Sequence, residues 1–459
     1  MIQKPLSVPG HIRATLILGL PLVGAAVAQV GLHVVNTAMV GWYSVIAQSG
    51  LVIATSSYFI LFMLGTGFGR AVMPLAASAK ARGDETELRR SARMGLWLSL
   101  GYGIVIYPVF WFSEPILLLL HQPPEVAREA QAYLRIAGLS LGPGLSVLVL
   151  QGWLAALGRT QFAFWLTVSA IGVNSVINWF LIFGNGGAPV MGVAGAGVAT
   201  LSVQLFSLLC LALYAALLPS LRGYQLFRRF WRADWPAMGQ VWRLGLPIGL
   251  TGLAETGLFE ASAIMMGWLG AAQLAAHGIA LEITALAFMA HVGLSNAATI
   301  RVASYQGMHD AFGLRRAALV ALAISGSVVC VVIAVFLTWP EVLVRQFLDL
   351  NKADSAFVLS FGAVLLGYAA LFQLADAMQV MALGLLRGIQ DTKVPMVLAA
   401  VSYWLIGVPA SYVLAFPLGW GGPGLWLGLV VGLFAAGLSL MLRFWLLAPK
   451  PGMAGKAAL

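Results

Sequence analysis

The feature that most limits what this chain can fold into is a nearly uncharged apolar stretch of about twenty residues that returns twelve times. As α-helix, at about 1.5 Å per residue, each stretch is long enough to cross the ~30 Å hydrocarbon core of a bilayer. The windows fall at 14–38, 47–70, 94–113, 131–153, 162–184 and 193–218, then at 244–268, 275–298, 317–339, 356–382, 394–416 and 423–447. Lipid offers no hydrogen bonds to the backbone, so a spanning segment must satisfy its own and is predicted helical. Composition agrees: 60% of the residues are hydrophobic and 9% charged, against roughly 25% charged in a soluble domain. The predicted fold is an all-α integral membrane protein with twelve transmembrane helices.

The net charge of +10 would suit a nucleic-acid partner if the cations lined one face, but they stand in short loops between spans. Lys4 and Arg13 precede span 1. Arg70, Lys80, Arg82, Arg89, Arg90 and Arg93 lie between spans 2 and 3, and Arg222, Arg228, Arg229, Arg232 and Arg243 between spans 6 and 7. Arg159, Arg301, Arg315, Arg316, Arg387, Lys393, Arg443, Lys450 and Lys456 fall on the same side; the other side holds only Arg128, Arg135, Arg345 and Lys352. That asymmetry is a topology signal, with both termini cytoplasmic and no nucleic-acid partner expected. Cys210 and Cys330 both lie in apolar segments and suggest neither a disulfide framework nor a metal site. The start, MIQKPLSVPGHIRA, leads directly into an apolar run, so no cleavable signal is expected.

The chain also repeats itself in a frame of 226 residues. Leu18-Gly19-Leu20-Pro21 falls on Leu244-Gly245-Leu246-Pro247; Met39, Gly41 and Trp42 fall on Met265, Gly267 and Trp268; Asp84, Leu88, Arg89 and Arg90 fall on Asp310, Leu314, Arg315 and Arg316. Each copy holds six spans and starts on the same side, so the copies are parallel repeats. The expected organisation is a six-helix lobe at 1–218, a cytoplasmic linker at 219–236 and a second six-helix lobe at 237–459. Paired lobes around a central cavity suit rocking between inward- and outward-open states.

Against this apolar background the polar residues inside spans are conspicuous. A carboxylate at mid-depth costs about 2.5–3.5 kcal/mol on insertion scales and is kept where an ion, proton or partner compensates. Glu255 sits deep in span 7, and the repeat places it on Gln29 of span 1. Glu260, five residues on, points away from Glu255. In span 10, Asp376 is flanked by Gln373 and Gln379 at i−3 and i+3, a polar stripe on one face. Glu282 in span 8 is a third carboxylate nearer the surface. Asn174 and Asn178 share a face of span 5, as His33 and Asn36 do on span 1. The alternatives are a protonated Glu255 hydrogen-bonded to a neighbouring helix, a helix–helix hydrogen-bond network for Asp376 and its glutamines, an interfacial place for Glu282 and a packing role for His33. Aromatic side chains such as Phe259 and Phe372 could line a cavity for flat cations.

These residues resemble a known family, the multidrug and toxic compound extrusion transporters, in their NorM branch. The resemblance runs essentially end to end. It is carried by LGLPIGLTGLAE in span 7, LAAHGIAL opening span 8, QLADAMQVMALGLLRGIQDTKVPM across span 10, NSVIN in span 5 and NTAMVG in span 1. It implies antiport, in which organic cations leave the cytoplasm as Na⁺ or H⁺ enters, with Glu255 and Asp376 as the cation-coupling acids and Na⁺ ligands. Asn36 stands where the family has an acid in span 1, and Phe372 replaces an aromatic hydroxyl.

The reading is a multidrug efflux antiporter of the bacterial inner membrane, not an enzyme, with no cofactor beyond its coupling ion. Its partners are small organic cations and the lipid bilayer, and it is expected to act as a monomer. A major facilitator protein would show G-x-x-x-D-x-G-R-[RK] between spans 2 and 3, which RAVMPLAASAKARGDETELRR lacks. A lipid-linked precursor flippase would favour arginines in the cavity to meet phosphates. Gly138-Leu139-Ser140-Leu141-Gly142 in span 4 fits the letters of GxSxG but lies in an apolar helical window, not at the strand-to-helix turn that motif needs, and no HExxH motif lies in any span.

Overall fold

The computed structural model describes residues 6–348 and 354–449; Lys4, Lys352, Lys450, Lys456 and the side chain of His33 lie outside the described residues. Among the described residues twelve long helices dominate: α1 Val8–Tyr43, α2 Val45–Arg82, α3 Glu85–Trp111, α4 Pro124–Ala156, α5 Thr160–Phe183, α6 Val193–Leu217, α7 Trp235–Leu269, α8 Ala271–Gly307, α9 Ala311–Thr338, α10 Ser355–Gly388, α11 Lys393–Ala415 and α12 Gly421–Leu447. Within α4 the backbone passes through a 3₁₀ turn at Gly138–Ser140, and within α11 through a π-helical stretch at Ser402–Gly407. Eleven are apolar enough as well as long enough to span a bilayer. The exception is α7, whose Glu255 and Glu260 dilute an otherwise apolar helix.

The helices overrun the apolar windows because polar caps lie beyond them. Asp84 accepts a hydrogen bond from the Glu87 N–H at the start of α3, and Asp310 one from the Gly313 N–H at the start of α9, both at 2.9 Å. These aspartates are repeat mates, so the duplicated motif is a duplicated N-cap. Large apolar side chains such as Ile104, Val105, Leu405 and Leu446 remain exposed, as a bilayer permits and water does not.

The chain forms two compact units, Gly24–Gly249 and Met1–Val23 with Leu250–Leu459. These differ from the expected lobes 1–218 and 237–459 at the first helix of each repeat. The start of α1 belongs with the second repeat, and the start of α7 with the first. Residues 219–236, expected as a separate linker, lie within the first unit.

Glycines explain the exchange. In the first unit, a Cβ on Gly67 of α2 would strike the Gly245 carbonyl of α7, so these backbones touch directly. Phe68 stacks on Trp242 beside them, centroids 5.4 Å apart. The rest of that unit packs Met39, Leu51, Phe110, Tyr133, Leu134 and Leu145 into its core.

In the second unit the repeat mate of Gly67, Gly293 of α8, meets the Val23 backbone of α1 in the same way. Buried Arg301 secures the contact further along α8, with its guanidinium bonded to the His11 carbonyl and, at 2.6 and 2.7 Å, to Thr15 Oγ1 and His11 Nδ1. Leu258, Leu365, Phe372, Tyr403, Trp426 and Phe444 fill this unit's core.

Candidate cation site

Two neighbouring groups of buried and half-buried polar side chains define the candidate site, both in the second unit. The first is the α10 stripe. Gln373, Asp376 and Gln379 are buried, Asp376 being only 3% exposed. Their i, i+3 spacing puts them on one face of α10, and that face is turned into the unit rather than toward lipid.

Gln373 donates its amide N–H to the Thr284 carbonyl of α8 at 2.8 Å. Gln379 donates to the Tyr403 hydroxyl of α11. Both amides thus spend N–H donors on neighbouring helices. One oxygen of each of the three side chains, Gln373 Oε1, Asp376 Oδ1 and Gln379 Oε1, is buried with no hydrogen-bond partner among the described residues. Leaving a buried acceptor unsatisfied costs about 1–3 kcal/mol, so three in a row on one helix could each take a hydrogen-bond donor or a cation.

The second group surrounds Glu255 on α7. Glu255 is half-buried and interacts electrostatically with Asp376. The Tyr403 hydroxyl interacts with both carboxyl groups. Tyr403 reaches this position from the π-helical stretch of α11, where the wider turn re-aims side chains. Next to it, Trp404 donates its indole N–H to the Ala254 carbonyl at 3.2 Å and lies over Gly257, pinning α11 against the turn of α7 that carries Glu255.

Beneath the stripe is an aromatic stack. Phe372 is buried, edge-on to Phe259 at 5.9 Å and to Trp426 at 5.5 Å. It is a core residue one turn from Asp376, and Phe259 is its packing partner. Trp426 in turn donates to His277 Nδ1 at 3.1 Å.

The remaining sequence candidates do not join this site. Glu260 and Glu282 are exposed on α7 and α8. In the first unit, Asn178 donates to Asn36 Oδ1 at 2.7 Å and to Asn174 Oδ1 at 3.0 Å. The three asparagines form a separate cluster joining α1 to α5. Gln29, the repeat mate of Glu255, is exposed on α1. Among the described residues no three His, Cys, Asp or Glu side chains converge. The second-unit site is therefore two carboxylates helped by neutral oxygens, a donor set for a hard monovalent cation or a proton rather than for a resident transition metal.

Comparison with known proteins identifies the family. The chain matches the MatE family over residues 21–180 and again over 247–413. The chain belongs to the MatE family. The two matches of the MatE chain start 226 residues apart, the frame of the internal repeat. Among its relatives, the probable multidrug resistance protein NorM of Rhizobium meliloti (strain 1021) is 41% identical over 100% of this chain and 98% of its own. Its counterpart in Agrobacterium fabrum is 42% identical over 96% and 95%. A crystal structure of a MATE transporter in complex with MaD3S superposes with a TM-score of 0.86 at 19% identity, covering 95% of this chain and 96% of that one. A MOP superfamily transporter from Pyrococcus furiosus gives 0.85 at 19%, covering 97% and 98%. As a MatE protein the chain is a transporter and not an enzyme, a multi-pass protein of the bacterial inner membrane.

Tyr403 and Thr284 were not among the sequence candidates. Both reach the stripe from other helices, Thr284 through its backbone carbonyl and Tyr403 through its hydroxyl, so no spacing within α10 points to them. The one available signal was a tyrosine hydroxyl inside an apolar span, which must find a partner when buried.

Proposed function

We propose that this MatE protein exports organic cations from the cytoplasm in exchange for Na⁺ or H⁺ by alternating access, and that Glu255 and Asp376 hold the coupling ion. The observation that carries the proposal is Asp376, a buried carboxyl with an unpartnered oxygen in the electrostatic reach of Glu255. Two carboxylates in a low-dielectric site resist joint ionisation, and a cation between them removes the conflict. The neutral acceptors of Gln373 and Gln379 beside Asp376 favour Na⁺, which needs several oxygen ligands where a proton needs one. The relatives named as multidrug resistance proteins support a broad organic substrate range.

Antiport follows if the coupling ion and the drug each favour a different conformation, so that binding one expels the other. The bias of the loop charges supports cytoplasmic termini, and a monomer suffices because one chain carries the whole proposed site.

The test is efflux from proteoliposomes under separately imposed Na⁺ and H⁺ gradients. Export of a fluorescent cation such as ethidium should follow a Na⁺ gradient at zero ΔpH. Equal export with neither gradient would refute coupling.

A further inference from the structure

We propose that residues 218–234, between α6 and α7, form a fixed ledge that binds the headgroups of anionic phospholipids. The ledge begins with its backbone. Arg93 of α3 donates to the carbonyls of Arg228 and Arg229, both at 3.3 Å, and Trp97 donates its indole N–H to the Phe230 carbonyl at 2.9 Å. Asp234 pairs with Arg90, and its N–H rests on Met94 Sδ at 3.4 Å. Gln225 and Arg229 adopt left-handed φ angles of 48° and 54°, which non-glycine residues accept when the surroundings hold them there. The chain here is thus held in one shape.

That shape sets both depth and chemistry. Met94 and Trp97 lie at the start of the apolar stretch of α3, so the segment bonded to them sits where the protein enters the hydrocarbon. Its outward side chains are of two kinds. Arg222, Arg228, Arg229 and Arg232 are exposed, and among the described residues none has a carboxylate within ion-pair distance. The segment's own acid, Asp234, is already taken by Arg90. Between and after them, Trp231 and Trp235 are 78% and 72% exposed. Arg228 gives one N–H to Gln225 Oε1 at 2.7 Å, which leaves its charge uncompensated. Exposed indoles beside guanidiniums that no carboxylate neutralises match the headgroup layer, where indole rings settle and phosphates meet arginine forks. A loop that only obeyed the charge bias of topology would need neither the fixed backbone nor the tryptophans. The charge complement of four unpaired cations is an anionic lipid, not a zwitterionic one.

The experiment uses the full-length protein in a neutral detergent, titrated with phosphatidylglycerol, phosphatidylcholine or inorganic phosphate. Thermal unfolding and native mass spectrometry are read together. Phosphatidylglycerol should raise Tm and remain bound in the mass spectrum; phosphatidylcholine and phosphate should do neither. The variant R222Q/R228Q/R229Q/R232Q should lose more than half of the rise in Tm and the bound lipid. The four-lysine version should keep most of both, because it keeps the charge. A control, R13Q/R128Q/R345Q/K393Q, removes the same charge from exposed positions elsewhere and should behave as wild type. The proposal is overturned if the four-glutamine variant binds phosphatidylglycerol as wild type does, if the control loses as much, or if phosphate alone reproduces the effect.

Discussion

Gln379 donates its side-chain N–H to the Tyr403 hydroxyl, and that hydroxyl stands within electrostatic reach of both Glu255 and Asp376. One neutral group from α11 thereby ties the α10 stripe to the α7 acid. Tyr403→Phe keeps the ring in the core and deletes only the oxygen. A hydrogen bond of this kind contributes about 0.5–1.5 kcal/mol, so the concentration of coupling ion giving half-maximal export should rise about 2- to 10-fold, at 1.36 kcal/mol per decade. Ion titrations of export by the purified variant, with Tm as a check on folding, measure it. An unchanged ion dependence would remove Tyr403 from the site.

In the first unit, Asn36 Oδ1 accepts from Asn178 Nδ2. Asn36→Asp retains an acceptor at that point and should fold as wild type. Asn178→Asp removes the donor and turns carboxylate oxygens toward two amide oxygens, at a cost of about 1–3 kcal/mol for the unsatisfied group. Thermal unfolding of the two variants side by side should give a clearly lower Tm for Asn178→Asp alone.

Phe372 fills the space between Phe259 and Trp426. Phe372→Ala should destabilise the protein by about 3–5 kcal/mol, the usual range for an emptied buried phenylalanine. Phe372→Leu should lose less and retain export, since the residue packs beneath Asp376 and offers no group to the ion. Denaturation in detergent and export assays on both variants separate the two effects.

Asp234 lies outside the spans, and its hydrogen bond to Arg90 holds its carboxyl below the usual carboxylate range. A depressed folded pKa stabilises the ionised form. The contribution is therefore complete above the ordinary carboxylate pKa and fades as the pH falls toward and through the lowered one. Asp234→Asn should be less stable than wild type near neutrality, and the gap should close in acid. Because the pair is partly exposed the gap will be small. Tm measured across a pH series checks the sign: a gap that widened in acid would contradict it.

Much of this could be read from the sequence, for stated reasons. Eleven of the long helices follow from hydropathy, α7 from its apolar run and its repeat match to α1, and Gln373, Asp376 and Gln379 from i, i+3 spacing, because these are properties of single helices. Asp84 and Asp310 appeared as repeat mates before they appeared as caps. What could not be read is what depends on a second helix. The exposure of Glu260 and Glu282 depends on which face of α7 and α8 is covered. Tyr403 comes to Asp376 through the turn of α11. The exchange of helix starts between units rests on Gly67 and Gly293, whose importance is visible only once a neighbouring backbone is found against them.

In the proposed mechanism Glu255 and Asp376 hold one cation between them. Groups that act on one ligand give non-additive losses when removed together, whereas independent sites give losses that multiply. The direct measurement is Na⁺- or H⁺-driven uptake of ethidium into everted vesicles by Glu255→Gln, Asp376→Asn and the double variant, at matched protein levels. Each single change should abolish most coupled transport, and the double variant should be little worse than either. Two partial losses that multiply in the double variant, or wild-type coupled transport by either single variant, would contradict a shared site.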